Sequence, residues 1–298
     1  MNGPPRRSDD STAILALTNR LVDTGVAPLK ASELWRVVDV VPEPGGLLGL
    51  DAAALATATG GCGVDPERLA RLLDTGIGLA VRLDGLYERG IGALTAADHE
   101  YPARLRARLG AAAPPVLYYA GDAGLLAADG VGVVGSREVG PEVTDLTVEV
   151  GQHVAAAGLA VVSGAARGVD SIAMGAALEA GGSVVGVLAE PLEQSIGMRG
   201  NRAAVMSGQA CLCTPYRPDA VFTAGGALGR NKIVYGLSRV TLVVTCVEGA
   251  GGTWAGATEA LQRGFGHVAV WTGADAGPGN AALASAGATA VETLTQLP

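Results

Sequence analysis

VVSGAARGVDSIAMGAALEAGGSVVGVLA, residues 161–189, holds a complete strand–loop–helix–turn–strand unit. Val161 and Val162 belong to a short apolar run that stops at Ser163-Gly164. Residues 168–181 then fit a helix, with Asp170 near its start and Gly181 just past its end, where glycine closes helices at least cost. Residues 183–189 form a second apolar run. Runs that are apolar throughout suit strands covered on both faces, and a helix between two such strands makes the pair parallel.

The same texture continues on either side. VGVVGSR (131–137) is a strand ending in Gly-Ser-Arg, and residues 141–157 fit a helix opened by Pro141. Beyond residue 189 come a looser region to 229 with a strand near ACLCT (210–214), then a helix in GRNKIVYGLS (229–238). A strand VTLVVTCV (240–247), the turn GAGGT, a helix WAGATEALQRG, a last strand HVAVWT (267–272) and a short helix NAALASAG follow. This alternation predicts an α/β fold: a Rossmann-like, mainly parallel, doubly wound sheet over 131–298. Right-handed crossovers place every strand-to-helix loop at the carboxyl edge of that sheet.

Ahead of it the chain reads differently. Residues 1–11 are polar and expected to be a disordered tail, and 12–94 form a small helical domain. Its clearest helix is DPERLARLLDTG (65–76), with Asp65 as N-cap, Pro66 at the first position and Gly76 at the end. It reads as a packing or interaction module. Residues 95–130 are a connector, with one short strand at 116–119 and Tyr101, Tyr118 and Tyr119 packing between domains.

Net charge is −8, so a uniformly basic nucleic-acid surface is excluded. Residues 121–298 hold 9 basic against 15 acidic side chains. Six of those nine lie in or beside candidate loops: Arg137, Arg167, Arg199, Arg202, Arg230 and Lys232. The four cysteines make no CxxC pair; Cys211 and Cys213 alternate on one strand face, as packing residues do. They read as reduced thiols of a cytoplasmic protein. The start, MNGPPRRSDDST, lacks the apolar core of a signal peptide, and no apolar run reaches membrane-spanning length.

Four glycine-rich segments fall at strand-to-helix turns: Gly135-Ser136-Arg137, residues 163–168 (SGAARG), residues 225–232 (GGALGRNK) and residues 249–253 (GAGGT). Glycine lets backbone approach a ligand closely, and the helix that follows offers free N–H groups and a positive dipole end. Together such loops form an anion site suited to phosphate. No GxxxxGK[ST] loop is present and the first turn does not match GxGxxG, so redox dinucleotides are disfavoured. His99, His153 and His267 show no metal-ligand or triad spacing, and Ser163 lacks the GxSxG elbow. No metal, no cofactor and no catalytic residue is expected.

At these residues the chain resembles the DprA/Smf DNA-processing family. The similarity runs from about 95 to 290 through Tyr101-Pro102, PPVLYYAG, VGVVGSR, the 161–189 unit, GRNKIVYGLS, GAGGTWAGATEAL and GNAALASAGATAV, in order. The resemblance implies single-stranded DNA binding, loading of a RecA-type recombinase in DNA uptake or recombination, and a homodimer without turnover. It assigns Gly135, Ser136 and Arg137 to the first phosphate loop and Ser163, Gly164, Arg167, Gly168 and Asp170 to the second. Arg230, Asn231 and Lys232 would donate from a helix start, and Gly251, Gly252 and Thr253 would close the pocket. Met174 stands where the family has His, GGTWAGA replaces a serine-rich turn, and a winged-helix segment has no counterpart in these 298 residues.

An alternative is a nucleotide sensor or N-glycosidic nucleotide hydrolase of the lonely-guy type, acting in a defence system. GAGGTWAGATE is similar to that signature, but its glutamate should stand three residues after Thr253, where Gly256 is; Glu259 is three residues later.

Overall fold

The computed structural model describes residues 7–298. Six helices lead: α1 (Asp9–Thr18), α2 (Ala31–Val40), α3 (Ala52–Ala58), α4 (Pro66–Leu73), α5 (Gly76–Glu88) and α6 (Ala103–Leu109), with strand β1 (Gly92–Thr95) between the last two. Strand β2 (Val116–Gly121) and the short helix α7 (Gly124–Ala127) connect them to the repeating part. There β3 (Gly130–Val134), α8 (Pro141–Ala156), β4 (Ala160–Ser163), α9 (Val169–Glu179) and β5 (Ser183–Val187) follow in turn. Next come α10 (Leu192–Ser195), α11 (Arg199–Met206), β6 (Ala210–Thr214), α12 (Ala224–Leu237) and β7 (Val240–Val243). The chain closes with α13 (Gly251–Arg263), β8 (His267–Trp271), α14 (Asn280–Ser285) and β9 (Thr289–Val291).

All nine strands form one sheet in the order β1-β2-β6-β5-β4-β3-β7-β8-β9. From β6 to β9 every pairing is parallel, so the expected Rossmann-like, doubly wound sheet is present. Chain order runs outward from β3 in one direction through β4 and β5, and in the other through β7 and β8. The reversal between β3 and β7 is where open α/β sheets leave a crevice beyond their carboxyl ends.

Alternate residues of each strand go to opposite faces. Val131, Val133 and Val161 pack with Val150 and Val154 of α8 and with Val169, Ala173 and Met174 of α9. Val162, Cys211, Cys213 and Val243 pack with Ile233, Tyr235, Ala257 and Ala260 of α12 and α13. Cys211 and Cys213 thus share one buried face, and all four cysteines are buried thiols.

The N-terminal region differs from expectation in three places. Of the stretch expected as a tail, residues 1–6 lie outside the described residues. Asp9, Asp10 and Ser11 already belong to α1, because Ser8 caps it by accepting from the Ser11 N–H at 3.1 Å and the two aspartates sit at the positive end of the helix. Gly76 opens α5 instead of closing α4, which ends at Leu73 with Asp74 as its C-cap. Residues 92–95 form a strand rather than the end of a helical domain. β1 pairs antiparallel with β2, and β2 pairs antiparallel with β6. The supposed connector is therefore the seam: Val116, Tyr118 and Ala120 of β2 pack with Leu17, Leu34 and Leu69 of the helices. Among the described residues no helix is long and apolar enough to cross a membrane.

Candidate anion-binding cleft

Three loops meet at the reversal point. The Ser136 N–H, after β3, donates to the Thr245 carbonyl, after β7, at 3.1 Å. The Thr253 hydroxyl, in the first turn of α13, donates to the Gly135 carbonyl at 2.8 Å. The Val169 N–H, at the start of α9, donates to the Ser136 carbonyl at 3.2 Å. Above this junction opens a cleft of about 860 Å³. Gly135, Ser136, Arg137, Asp170, Arg230, Asn231, Gly251, Gly252 and Thr253, all expected from sequence, line it.

The α13 end is the most open anion feature. Ala250 precedes the helix and offers no side-chain cap. The first-turn N–H groups of an α-helix have no intrahelical acceptor, and here Gly251 and Gly252 are exposed. Asn231 Nδ2 holds this turn in place by donating to the Gly252 carbonyl at 3.1 Å. Arg137 is exposed on the opposite lip, its guanidinium 5.9 Å from the centre of the Phe222 ring.

The floor is charged and buried. Arg230 is only 4% exposed, packed under Gly164, where a Cβ would overlap its guanidinium. Its Nε has no hydrogen-bond partner among the described residues, and neither has the hydroxyl of Tyr235, 2% exposed. Burial pushes the Arg230 pKa down, with Asp170 and Glu190 opposing. Asp170, the single carboxyl among the cleft's lining residues, accepts from the Gly164 N–H at 3.2 Å. Burial raises its pKa from 3.8 to about 6, against the pull of Arg230 and of backbone donors.

That shift has a consequence for stability. A carboxyl whose folded pKa lies above its unfolded one binds more protons folded than unfolded across the interval between them. Its contribution is therefore greatest below pH about 4 and is lost as pH rises through about 6, a change of about 3 kcal/mol. Asp170→Asn should flatten this part of the stability profile. Urea midpoints of parent and variant between pH 4 and 7 check it; parallel profiles would count against a buried, protonating Asp170.

Other expected residues are elsewhere or otherwise engaged. The Ser163 hydroxyl is buried and donates to the Val133 carbonyl at 2.6 Å. Gly164 and Gly168 support the floor from behind: Gly168 has φ +89°, and a Cβ there would strike the Ser136 and Arg137 carbonyls. Arg167 turns outward to Glu138 at 2.6 Å, both largely exposed. Arg199 and Arg202 lie on α11 and do not line the cleft. Residues 225–232 are not a loop. Thr223 caps α12 by accepting from the Gly226 N–H at 3.0 Å, so Arg230 sits mid-helix and not at a helix start. Lys232, two residues on, faces away from the cleft. Phe222 and Tyr235 line the cleft without having been expected there, and Trp254 lines it as well while packing against the core. For Phe222 the available signal was its place just ahead of the capping Thr223. Among the described residues no group of three or more His, Cys, Asp or Glu side chains is placed to hold a metal ion.

Residues 92–297 match the family model described as DNA recombination-mediator protein A. The chain is 30% identical over 156 residues to Protein Smf of Synechocystis, covering 51% of this chain and 39% of that protein. It is 29% identical over 180 residues to the DNA processing protein DprA of Bacillus subtilis, covering 59% of each. It thus spans less than two thirds of the length of either relative. Among solved structures, DNA processing protein A of Streptococcus pneumoniae superposes with a TM-score of 0.73 over 98% of both chains at 21% identity. That of Helicobacter pylori, described for its single-stranded DNA binding mode, superposes with a TM-score of 0.56 at 23% identity, over 69% of this chain and 93% of its own.

Proposed function

The chain belongs to the DNA recombination-mediator protein A family, and on that premise we propose that its cleft binds single-stranded DNA in DNA processing. The observation that carries this is the pair of buried donors at the cleft floor, Arg230 Nε and the Tyr235 hydroxyl, neither with a partner among the described residues. A buried donor left unpaired costs about 1–3 kcal/mol, and an acceptor entering the cleft removes that cost. In this role Arg137 and the N–H groups of Gly251, Gly252 and Thr253 hold backbone phosphate, and the exposed Phe222 ring stacks a base. Gly135, Ser136, Gly164, Gly168, Asp170 and Asn231 shape and brace the site. From the resemblance alone comes the further proposal that a homodimer passes the strand to a RecA-type recombinase, with the helical region of residues 12–94 serving as a packing or interaction module.

The hydrolase alternative needs a carboxylate at the α13 start. Gly256, packed against Asn231 and Tyr235, stands at the position in question, and Glu259 does not line the cleft.

Binding to a single-stranded oligonucleotide, with duplex and mononucleotide competitors and salt varied, tests the proposal. Affinity should fall with log salt at about 0.7 per phosphate contacted, since each contact releases counterions condensed on the strand. Mononucleotides should compete weakly. A flat salt response, or release of free base from nucleoside monophosphates, would reject it.

A further inference from the structure

The first cleft occupies one side of α12, and the other side of the same helix forms a second groove of about 580 Å³. Its far wall comes from the helical region, including Thr18, Arg20 and Lys30, and its near wall from Gly225, Gly226, Gly229 and Lys232 of α12. An adjoining hollow of about 470 Å³ shares Lys30 and Lys232 and adds Arg263. No carboxylate lines either space, in a chain with 29 acidic against 21 basic residues. Both lysines of the chain are here.

These cations are available. Arg20, Lys232 and Arg263 form no ion pair among the described residues, and Arg20 and Lys30 are exposed. Glu33 lies near Lys30, but Arg68 already holds both its oxygens, at 2.9 and 3.1 Å. Arg217, also in the groove, does not count, since Asp219 takes its guanidinium at 2.9 and 2.6 Å. The Tyr216 hydroxyl donates to the Gly226 carbonyl at 2.7 Å and fixes the wall. Tyr216 lies over Gly226 and Gly229, and Gly225 leaves the first turn of α12 open on this side, so a chain can lie close to the helix start. The two spaces meet at the start of α12, where Phe222 lines the first and its neighbour Val221, 77% exposed, lines the second.

We propose that this groove is a second phosphate track, taking the length of single-stranded DNA that runs past the first cleft over the crest at residues 221–224. It rests on the reading of the first cleft as a single-strand site. Cations spaced along a groove, instead of gathered at one point, suit a polymer with repeating charge.

The test compares oligothymidylates of about six and about thirty nucleotides on the full chain, the shorter filling one site and the longer both. Arg20→Gln with Lys30→Gln changes two exposed side chains outside the first cleft. The double variant should bind the long oligonucleotide about tenfold more weakly, with the salt slope reduced by about 1.4, and the short one as the parent does. Lys30→Arg should retain affinity. Arg137→Ala should weaken both lengths. If the double variant binds the long strand like the parent while Arg137→Ala weakens both, the second track is wrong and the first cleft stands. Equal loss for both lengths in the double variant overturns it too. If Arg137→Ala changes neither length, the first reading fails and the continuous track fails with it.

Discussion

Arg137→Ala is expected to reduce single-stranded DNA affinity by about ten- to a hundredfold while leaving the fold intact, the loss of one charge-assisted phosphate contact. The side chain is exposed and holds no ion pair among the described residues, so nothing in the core depends on it. Its guanidinium lies against the Phe222 ring, which restrains it at the lip where a phosphate would meet the α13 amides. The slope of log affinity against log salt should shrink by about 0.7, the value of a single strand's phosphate. Arg137→Lys should keep the slope but recover only part of the affinity, because an ammonium lacks the planar fork that grips two oxygens and stacks on a ring. Fluorescence anisotropy at several salt concentrations reads both quantities. An alanine variant that binds like the parent would remove Arg137 from the site.

Gly168→Ala is expected to cost about 3–5 kcal/mol of stability, a size reserved for backbone strain and core damage. Gly168 lies at φ +89° and ψ −136°, a region that side-chain-bearing residues rarely enter. The added methyl would also overlap the carbonyl groups of Ser136 and Arg137, and a backbone obstacle cannot rotate aside. The loops after β3 and β4 would have to separate, breaking the Val169 to Ser136 hydrogen bond that joins them. Gly175→Ala makes the control. It lies within α9 with open space at its Cβ, so alanine there should stabilise by about 0.5–1 kcal/mol. Denaturant midpoints for the two variants should therefore move in opposite directions. A Gly168→Ala midpoint within error of the parent would mean that the two loops are not locked together.

What the sequence makes legible is local and repetitive. The apolar runs of β3 to β5 and β7, and the turns that follow them, are short-range features set by burial on both faces, and the fold class follows from their alternation. The loop after β3 and the α13 start are legible as strand-to-helix turns because each follows an apolar run and precedes a helical pattern. The errors have different causes. β1 is only Gly92–Thr95 and exists through pairing with β2, a contact no window of sequence contains. Residues 225–232 read as a loop because glycine is a poor helix former, yet the Thr223 cap and packing on α13 and α6 hold the helix. The resemblance places Lys232 with Arg230, but two steps along a helix turn a side chain by about 200°. The resemblance puts Arg230 at a helix start, but it lies mid-helix, and its burial depends on Gly164, 66 positions earlier, having no side chain. The cleft aromatics come from three separate elements and become neighbours only when the sheet is wound.

The antiparallel end of the sheet bears on how the chain can be divided. β2 lies between β1 and β6, with the N-terminal helices packed over it. A cut after Leu94, where the sequence pattern suggests a border, would strip β2 of its outer neighbour and bare a row of ladder groups beside Val116, Tyr118 and Ala120. Open apolar edges of that kind recruit strands from other molecules. The helical region therefore acts as a stopper on a self-associating margin as well as a wall of the second groove, and the two halves are coupled in folding through a strand that both need.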